Sequence, residues 1–301
     1  MEGEPQTRQK DFSEPQIPAS QQVKSSIAFL SDLSLYLKEK PYYLTLTKDR
    51  EGDSVLTNIV SDIYTEITFT DITGYESSFN LDTHGFQLVK HATSLPVQDF
   101  EDSERITSVY YAEIEEYLHK FLGAERVRVM QHVVRERPVD FVESKGMAET
   151  KNGRSKPLTG IHIDASPLGA VRRVEKYMPE EVEAIRTRRF QILNVWRPLV
   201  PQLRDWPLAL CDMRTVSRED MVEADLISPG FQGENMFLYF SPHYKFYFRD
   251  RQSCDEVWVF KQFDSMDGVA KHCPHGSFQS PDIGPDAPRR MSIDVAVLVL
   301  Y

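Results

Sequence analysis

His162 and Asp164 stand two residues apart in the β-prone run Gly160-Ile161-His162-Ile163-Asp164. Side chains on a strand alternate, so the pair shares one face with Cα atoms roughly 7 Å apart. An imidazole and a carboxylate placed this way are two ligands of a metal site. A histidine from elsewhere would complete a two-histidine, one-carboxylate face, which leaves one side of the metal open and suits Fe(II). The third ligand is expected downstream, in His272-Cys273-Pro274-His275-Gly276-Ser277-Phe278. His272 and His275 are three apart and cannot share a face of one regular strand. Pro274 puts the strand start after it and favours His275, leaving His272 behind the site or exposed. Arg290 and Ser292 share a face of a later β-prone run, with Arg289 as the competitor of Arg290.

The order of these groups matters more than any one of them. A same-face His/Asp pair, a later histidine and an Arg-x-Ser about fifteen residues beyond it reproduce the layout of a double-stranded β-helix oxygenase, in which the arginine anchors the far carboxylate of 2-oxoglutarate. Two neutral imidazoles and one carboxylate leave the metal able to take the keto acid as a chelate. A guanidinium meets a carboxylate with two parallel hydrogen bonds and a neighbouring hydroxyl adds another, the roles expected of Arg290 and Ser292.

Composition sets the bounds. The chain has 301 residues, enough for one large domain, expected over 25–301 behind a mobile segment 1–24 poor in apolar residues. A net charge of −11 disfavours a nucleic-acid partner, which requires a concentrated basic face. Three cysteines without C-x-x-C spacing indicate neither a disulfide framework nor a zinc knuckle, and fit a reducing compartment. The stretch Met1 to Gln22 has no apolar core of the kind a leader carries, and nowhere do about 18 apolar residues run together. A cytoplasmic protein is expected, either monomeric or homodimeric.

The elements that must position the site read as many short strands with helices behind them. Helices are expected over Ser25–Leu37, Ser103–Leu122, Pro179–Arg189 and Arg218–Leu226. Strands are expected at Tyr42–Leu46, Ile63–Phe69, Leu81–Val89, Val127–Val134, Phe190–Leu199, Trp206–Val216, Asn235–Phe240, Tyr244–Arg249, Glu256–Phe263, Gly276–Gln279 and Met291–Tyr301. The fold class is mixed, mainly β: a double-stranded β-helix (jelly-roll or cupin-like) core backed by helices. The polar stretches Thr70–Asn80 and Val139–Leu158 are expected to form a mobile cover over the metal.

Longer motifs carry a resemblance. Asn194-Val195-Trp196-Arg197-Pro198-Leu199, Pro207 to Asp212, Asp255 to Ser265, His275-Gly276-Ser277-Phe278 and Arg290-x-Ser292-Ile293-Asp294 resemble the AsaB/CmcJ-like family. The resemblance reaches upstream to Thr83-His84-Gly85-Phe86-Gln87-Leu88-Val89 and covers about residues 25 to 301. It implies a hydroxylase, desaturase or endoperoxidase of fungal secondary metabolism that uses Fe(II), 2-oxoglutarate and O2. Ala296 departs from it, because relatives often carry a second arginine there. Asn194, Trp196, Arg197 and Lys261 fall in matching motifs and are candidates to line the pocket or brace its ligands.

The function expected is therefore dioxygenase attack on a C–H bond of a small apolar secondary metabolite, terpenoid or meroterpenoid in character, by hydroxylation or desaturation. Endoperoxide formation is the alternative on the same site. A cupin-like metal hydrolase or isomerase, or a non-catalytic binding protein, is the alternative of another class.

Overall fold

The computed structural model of the protein describes residues 15–46, 54–139, 141, 154–281, 283–284 and 287–301. Among the described residues, fifteen strands make up most of the ordered elements: β1 (Gln22–Leu30), β2 (Tyr42–Leu46), β3 (Ser54–Thr57), β4 (Ser61–Asp71), β5 (Phe86–Lys90), β6 (Arg126–Glu136), β7 (His162–Ile163), β8 (Phe190–Pro198), β9 (Leu208–Cys211), β10 (Met221–Ser228), β11 (Phe231–Leu238), β12 (Phe246–Phe248), β13 (Glu256–Asp264), β14 (His275–Ser277) and β15 (Met291–Leu300). They form two sheets. The larger runs β1-β4-β12-β9-β14-β7-β11-β10-β2-β3 and the smaller β5-β13-β8-β15-β6. Two curled sheets face to face give the expected jelly roll.

Each face of the smaller sheet has its own cover. One face sends Leu193, Val195, Val257, Val259, Ile293, Val295 and Val299 into an apolar layer closed by Tyr110, Ile114 and Leu118. Those three belong to the helical segment Ser103–Leu122, which runs through one π-helical turn, Ile106–Tyr110. Gly123 closes it at φ 63°, the left-handed conformation that glycine tolerates. The opposite face carries Asn194, Trp196, Ser292 and Asp294 toward the larger sheet. Strand alternation thus divides packing from chemistry.

Several elements differ from the sequence reading. Ser25–Leu37 is no helix: Gln22–Leu30 is a strand and Ser34–Leu37 one 3-10 turn. Ile27 and Phe29 are buried two apart, so period two overrides the helical spacing. Leu81–His84 is a short helix, not the start of a strand. Asn80 caps it and Gly85 ends it at φ 89°. An added Cβ at Gly85 would lie 2.3 Å from the His272 carbonyl oxygen. Arg218–Leu226 is a 3-10 turn followed by strand β10. Thr70–Asn80 is no cover, because buried Ile72 and Phe79 pack it with Phe86, Leu210 and Trp258. Of Val139–Leu158, residues 140 and 142–153 lie outside the described residues, as do 1–14 of the N-terminal segment. Beyond these, Ile17 packs on the core and Gln21 donates to the Thr73 carbonyl (2.9 Å).

Pro167–Tyr177 (α1) starts with Ser166, whose Oγ accepts from Gly169 N (2.9 Å), and with proline in its first turn. It lies against β11 so closely that a Cβ at Gly169 would sit 2.0 Å from the Glu234 carbonyl oxygen. That contact fixes where the rest of α1 runs.

Candidate active site

Cross-strand pairing brings the candidate ligands together. β14 pairs antiparallel with β7, with His275 opposite His162, and the imidazole centroids are 4.4 Å apart. Asp164 follows β7 on the same face. Its Oδ1 is 3.4 Å from His162 Nε2 and its Oδ2 is 3.8 Å from His275 Nε2. One donor atom from each residue lies within 4.8 Å of the others. Each imidazole is oriented through its far nitrogen: Nδ1 of His162 meets the Gly160 carbonyl at 2.8 Å, and Nδ1 of His275 the Cys273 carbonyl at 3.1 Å. A proton on Nδ1 leaves the Nε2 lone pair for a metal.

The electrostatics favour a cation here. Burial pushes the His275 imidazole down to about 3, with His162 adding to that and Asp164 opposing it. Burial disfavours the charged Asp164, yet the His162 hydrogen bond and the charges of His275, His162 and Arg173 outweigh it and hold the carboxyl far below its usual range. Two imidazoles beside a lasting carboxylate form the donor set of an Fe(II) face. Around it, Asp164 N donates to Gln262 Oε1 (2.7 Å), Arg173 donates to the Asp164 carbonyl (2.6 Å), and the Phe260 ring meets His275 edge-on at 4.7 Å.

Arg290 lies nearby, 1% exposed. It donates to Ser277 Oγ, to the Trp206 carbonyl (2.8 Å) and to Ser292 Oγ (3.3 Å), with its guanidinium 5.1 Å from the Trp196 ring. Burial pushes it down to about 9. No carboxylate pairs with its guanidinium among the described residues. Asp205 accepts instead from its backbone N–H (2.7 Å).

Comparison with known proteins decides the family. A family model described as an oxidoreductase/YMDC permease-like domain matches residues 27–300. The hydroxylase/desaturase CTB9 of Cercospora beticola is 33% identical, over 82% of this chain and 83% of its own. The Fe(II)/2-oxoglutarate-dependent dioxygenase nvfI of Aspergillus novofumigatus is 32% identical, over 78% of this chain and 82% of its own. The protein belongs to the Fe(II)/2-oxoglutarate-dependent oxygenases of fungal secondary metabolism. A solved structure of the iron and alpha-ketoglutarate-dependent endoperoxidase NvfI superposes with a TM-score of 0.78, at 27% identity, covering 94% of this chain and 99% of that one.

The oxygenase places its other candidates unequally. Asn194 is at the site: its Nδ2 donates both to Asp164 Oδ2 (2.8 Å) and to Asp294 Oδ2 (3.1 Å). Trp196 lies under Arg290. Arg197 is not at the site. One residue further along β8, it points to the helix side and donates to Tyr110 Oη (2.9 Å), His91 and the Cys254 carbonyl. Lys261 is also elsewhere, buried against Asp82 (2.8 Å) and Asp264 (2.7 Å), whereas Phe260 and Gln262 beside it face His275 and Asp164. His272 stands one layer back, its Nδ1 on the Gln262 carbonyl (2.6 Å), and burial pushes it down to about 4.

A cavity of about 230 Å³ opens beside Asp164, between the smaller sheet and α1. Ile192, Leu226 and Phe231 supply apolar walls, and Ala296 faces it too. Arg135, Arg173, Gln262 and Asp294 were not read from the sequence as site residues. Ser277, two after His275, and Gln262, two after Phe260, could have been found by period two. Arg173 required α1.

Proposed function

We propose that His162, Asp164 and His275 hold Fe(II) and that Arg290, with Ser292, takes the far carboxylate of 2-oxoglutarate, while the substrate lies in the cavity beside Asp164. Fe(II), 2-oxoglutarate and O2 together supply an oxidant able to take hydrogen from an unactivated C–H bond. The chain supplies position and exclusion of water. Gly160 and Cys273 keep the imidazoles turned with Nε2 inward, and Asn194 and Gln262 hold the carboxylate and its backbone. The observation that carries the reading is the convergence of two Nε2 atoms and one carboxylate within 4.8 Å.

The substrate is a small secondary metabolite whose skeleton rests on Ile192, Leu226 and Phe231, and the outcome is hydroxylation or desaturation. A second reading, endoperoxide formation, is favoured by Tyr177 in the cavity wall, a hydrogen-atom donor of the kind that reaction needs, and by the likeness to an endoperoxidase. The enzyme works in the cytoplasm, and its net charge of −11 argues against a nucleic-acid partner. Anaerobic addition of Fe(II) and then 2-oxoglutarate tests the centre: a weak visible charge-transfer band must appear in the native protein and not in His162→Ala. Absence of the band in the native protein overturns the proposal.

A further inference from the structure

The α1 wall of the cavity is cationic. Arg173 and Lys176 stand three apart on α1, so they lie on neighbouring positions of one helix face, where like charges destabilise each other. Both line the cavity, as does Arg135 on the opposite sheet. Their hydrogen bonds and ring contacts are with neutral groups, although the charge of Arg173 also acts on the Asp164 carboxylate. Arg173 donates to the Asp164 carbonyl (2.6 Å) and to Asn235 Oδ1 (3.4 Å). Lys176 Nζ lies 4.2 Å from the Phe231 ring centroid and 4.9 Å from that of Tyr177. Arg135 donates to the Lys156 carbonyl (3.0 Å). None of the three forms an ion pair among the described residues.

That is unusual for a chain of net charge −11, in which acidic partners are plentiful. Two carboxylates also face the cavity. Asp164 turns toward the imidazoles and Asp294 shares Asn194, so neither neutralises Lys176 at the outer end. A buried guanidinium and an exposed ammonium over two aromatic faces bind a carboxylate with charge-assisted hydrogen bonds, and the rings and Leu226 take the adjoining carbon.

We infer that the substrate of this oxygenase carries a carboxylate, which docks between Arg173 and Lys176 and points the carbon skeleton along Ile192 and Leu226 toward Asp164. This rests on the proposed placing of the reaction at Asp164. The group is distinct from the keto acid, whose far carboxylate is assigned to Arg290. A substrate held at its acidic end has one register against the metal, so the carboxylate determines which carbon is oxidised.

The test uses three probes of one shape, 1-naphthoate, methyl 1-naphthoate and 1-naphthylmethylammonium, titrated calorimetrically into the anaerobic Fe(II)–2-oxoglutarate complex with its visible band monitored. Naphthoate should bind about tenfold more tightly than the ester or the amine, the ratio expected of one hydrogen bond between charged groups, and the band should persist. Lys176→Gln should remove most of that preference and leave ester binding unchanged. Lys176→Glu should reverse it toward the amine. Equal binding of acid and ester, no binding of any probe at millimolar concentration, unchanged selectivity in Lys176→Glu, or loss of the band as naphthoate enters the keto-acid site would each overturn the inference. If no band forms at all, the metal assignment fails instead, and the same titration of metal-free protein still reads the α1 wall.

Discussion

Asn194 holds Asp164 by its Oδ2 oxygen, its amide nitrogen donating over 2.8 Å. The second proton of that nitrogen goes to Asp294, so one side chain orders two carboxylates, neither of which is free to turn. Partners of this kind set how a ligand presents itself to a metal. Asn194→Ala should weaken Fe(II) binding by about 10–100-fold. Metal titration followed by the 2-oxoglutarate band checks this, and native affinity in the variant would remove Asn194 from the support of the site.

The two histidines of the tail separate cleanly. His275→Ala should abolish iron binding and turnover. His272→Ala should keep the iron, yet lose about 1–3 kcal/mol of stability, because the Gln262 carbonyl is left buried without its partner. Metal analysis beside a denaturant melt distinguishes them, and iron loss in His272→Ala with retention in His275→Ala would exchange their roles.

At the other end, Arg290→Lys should raise the 2-oxoglutarate concentration needed for half-maximal turnover at least tenfold, since a point charge cannot supply two parallel hydrogen bonds. Ser292→Ala, which removes one acceptor of Arg290 at 3.3 Å, should act more weakly. Fe(II) affinity should be the same in both. An unchanged keto-acid response in Arg290→Lys rules out the anchor.

Asp294 makes the metal-free protein sensitive to pH. Burial and the Asp164 charge raise its carboxyl to about 7 from an ordinary 3.8, with Arg135 and Arg290 opposing. The folded state therefore keeps a proton that the unfolded chain releases. The resulting stability is whole below about pH 4 and lost as pH rises through 7. Asp294→Asn, the isostere of the protonated form, should match the native protein near pH 4 and exceed it by several degrees in melting temperature at pH 8. Melts in chelator at both pH values decide it, and a constant difference would show that Asp294 does not titrate in this window.

Gly169 is a packing requirement. A Cβ there meets the Glu234 carbonyl oxygen at 2.0 Å, so Gly169→Ala must push α1 off β11. A loss of about 1–3 kcal/mol is expected, together with weaker Fe(II) binding as Arg173 leaves the Asp164 carbonyl. A stable variant with native iron affinity would show that α1 does not brace the site.

What the chain determined by itself was local in origin. Period two put His162 and Asp164 on one face, Pro274 separated His275 from His272, and the 3.6-residue repeat with Gly123 at its end fixed the helical run Ser103–Leu122. Each follows from chain geometry within a few residues. What needed the tertiary structure was the choice of face. Alternation along β8 separates Asn194 and Trp196 from Arg197, but both faces of that strand are buried, so nothing local says which one meets the ligands. The same holds for Lys261, which sits between Phe260 and Gln262 on a strand buried on both sides. Gln22–Leu30 became a strand because β4 pairs with it, a partner some forty residues away. Arg173 and Lys176 reached the cavity only because Gly169 lets α1 lie against β11. Contacts between residues far apart in sequence leave no periodic trace, so they are decided when the sheets close.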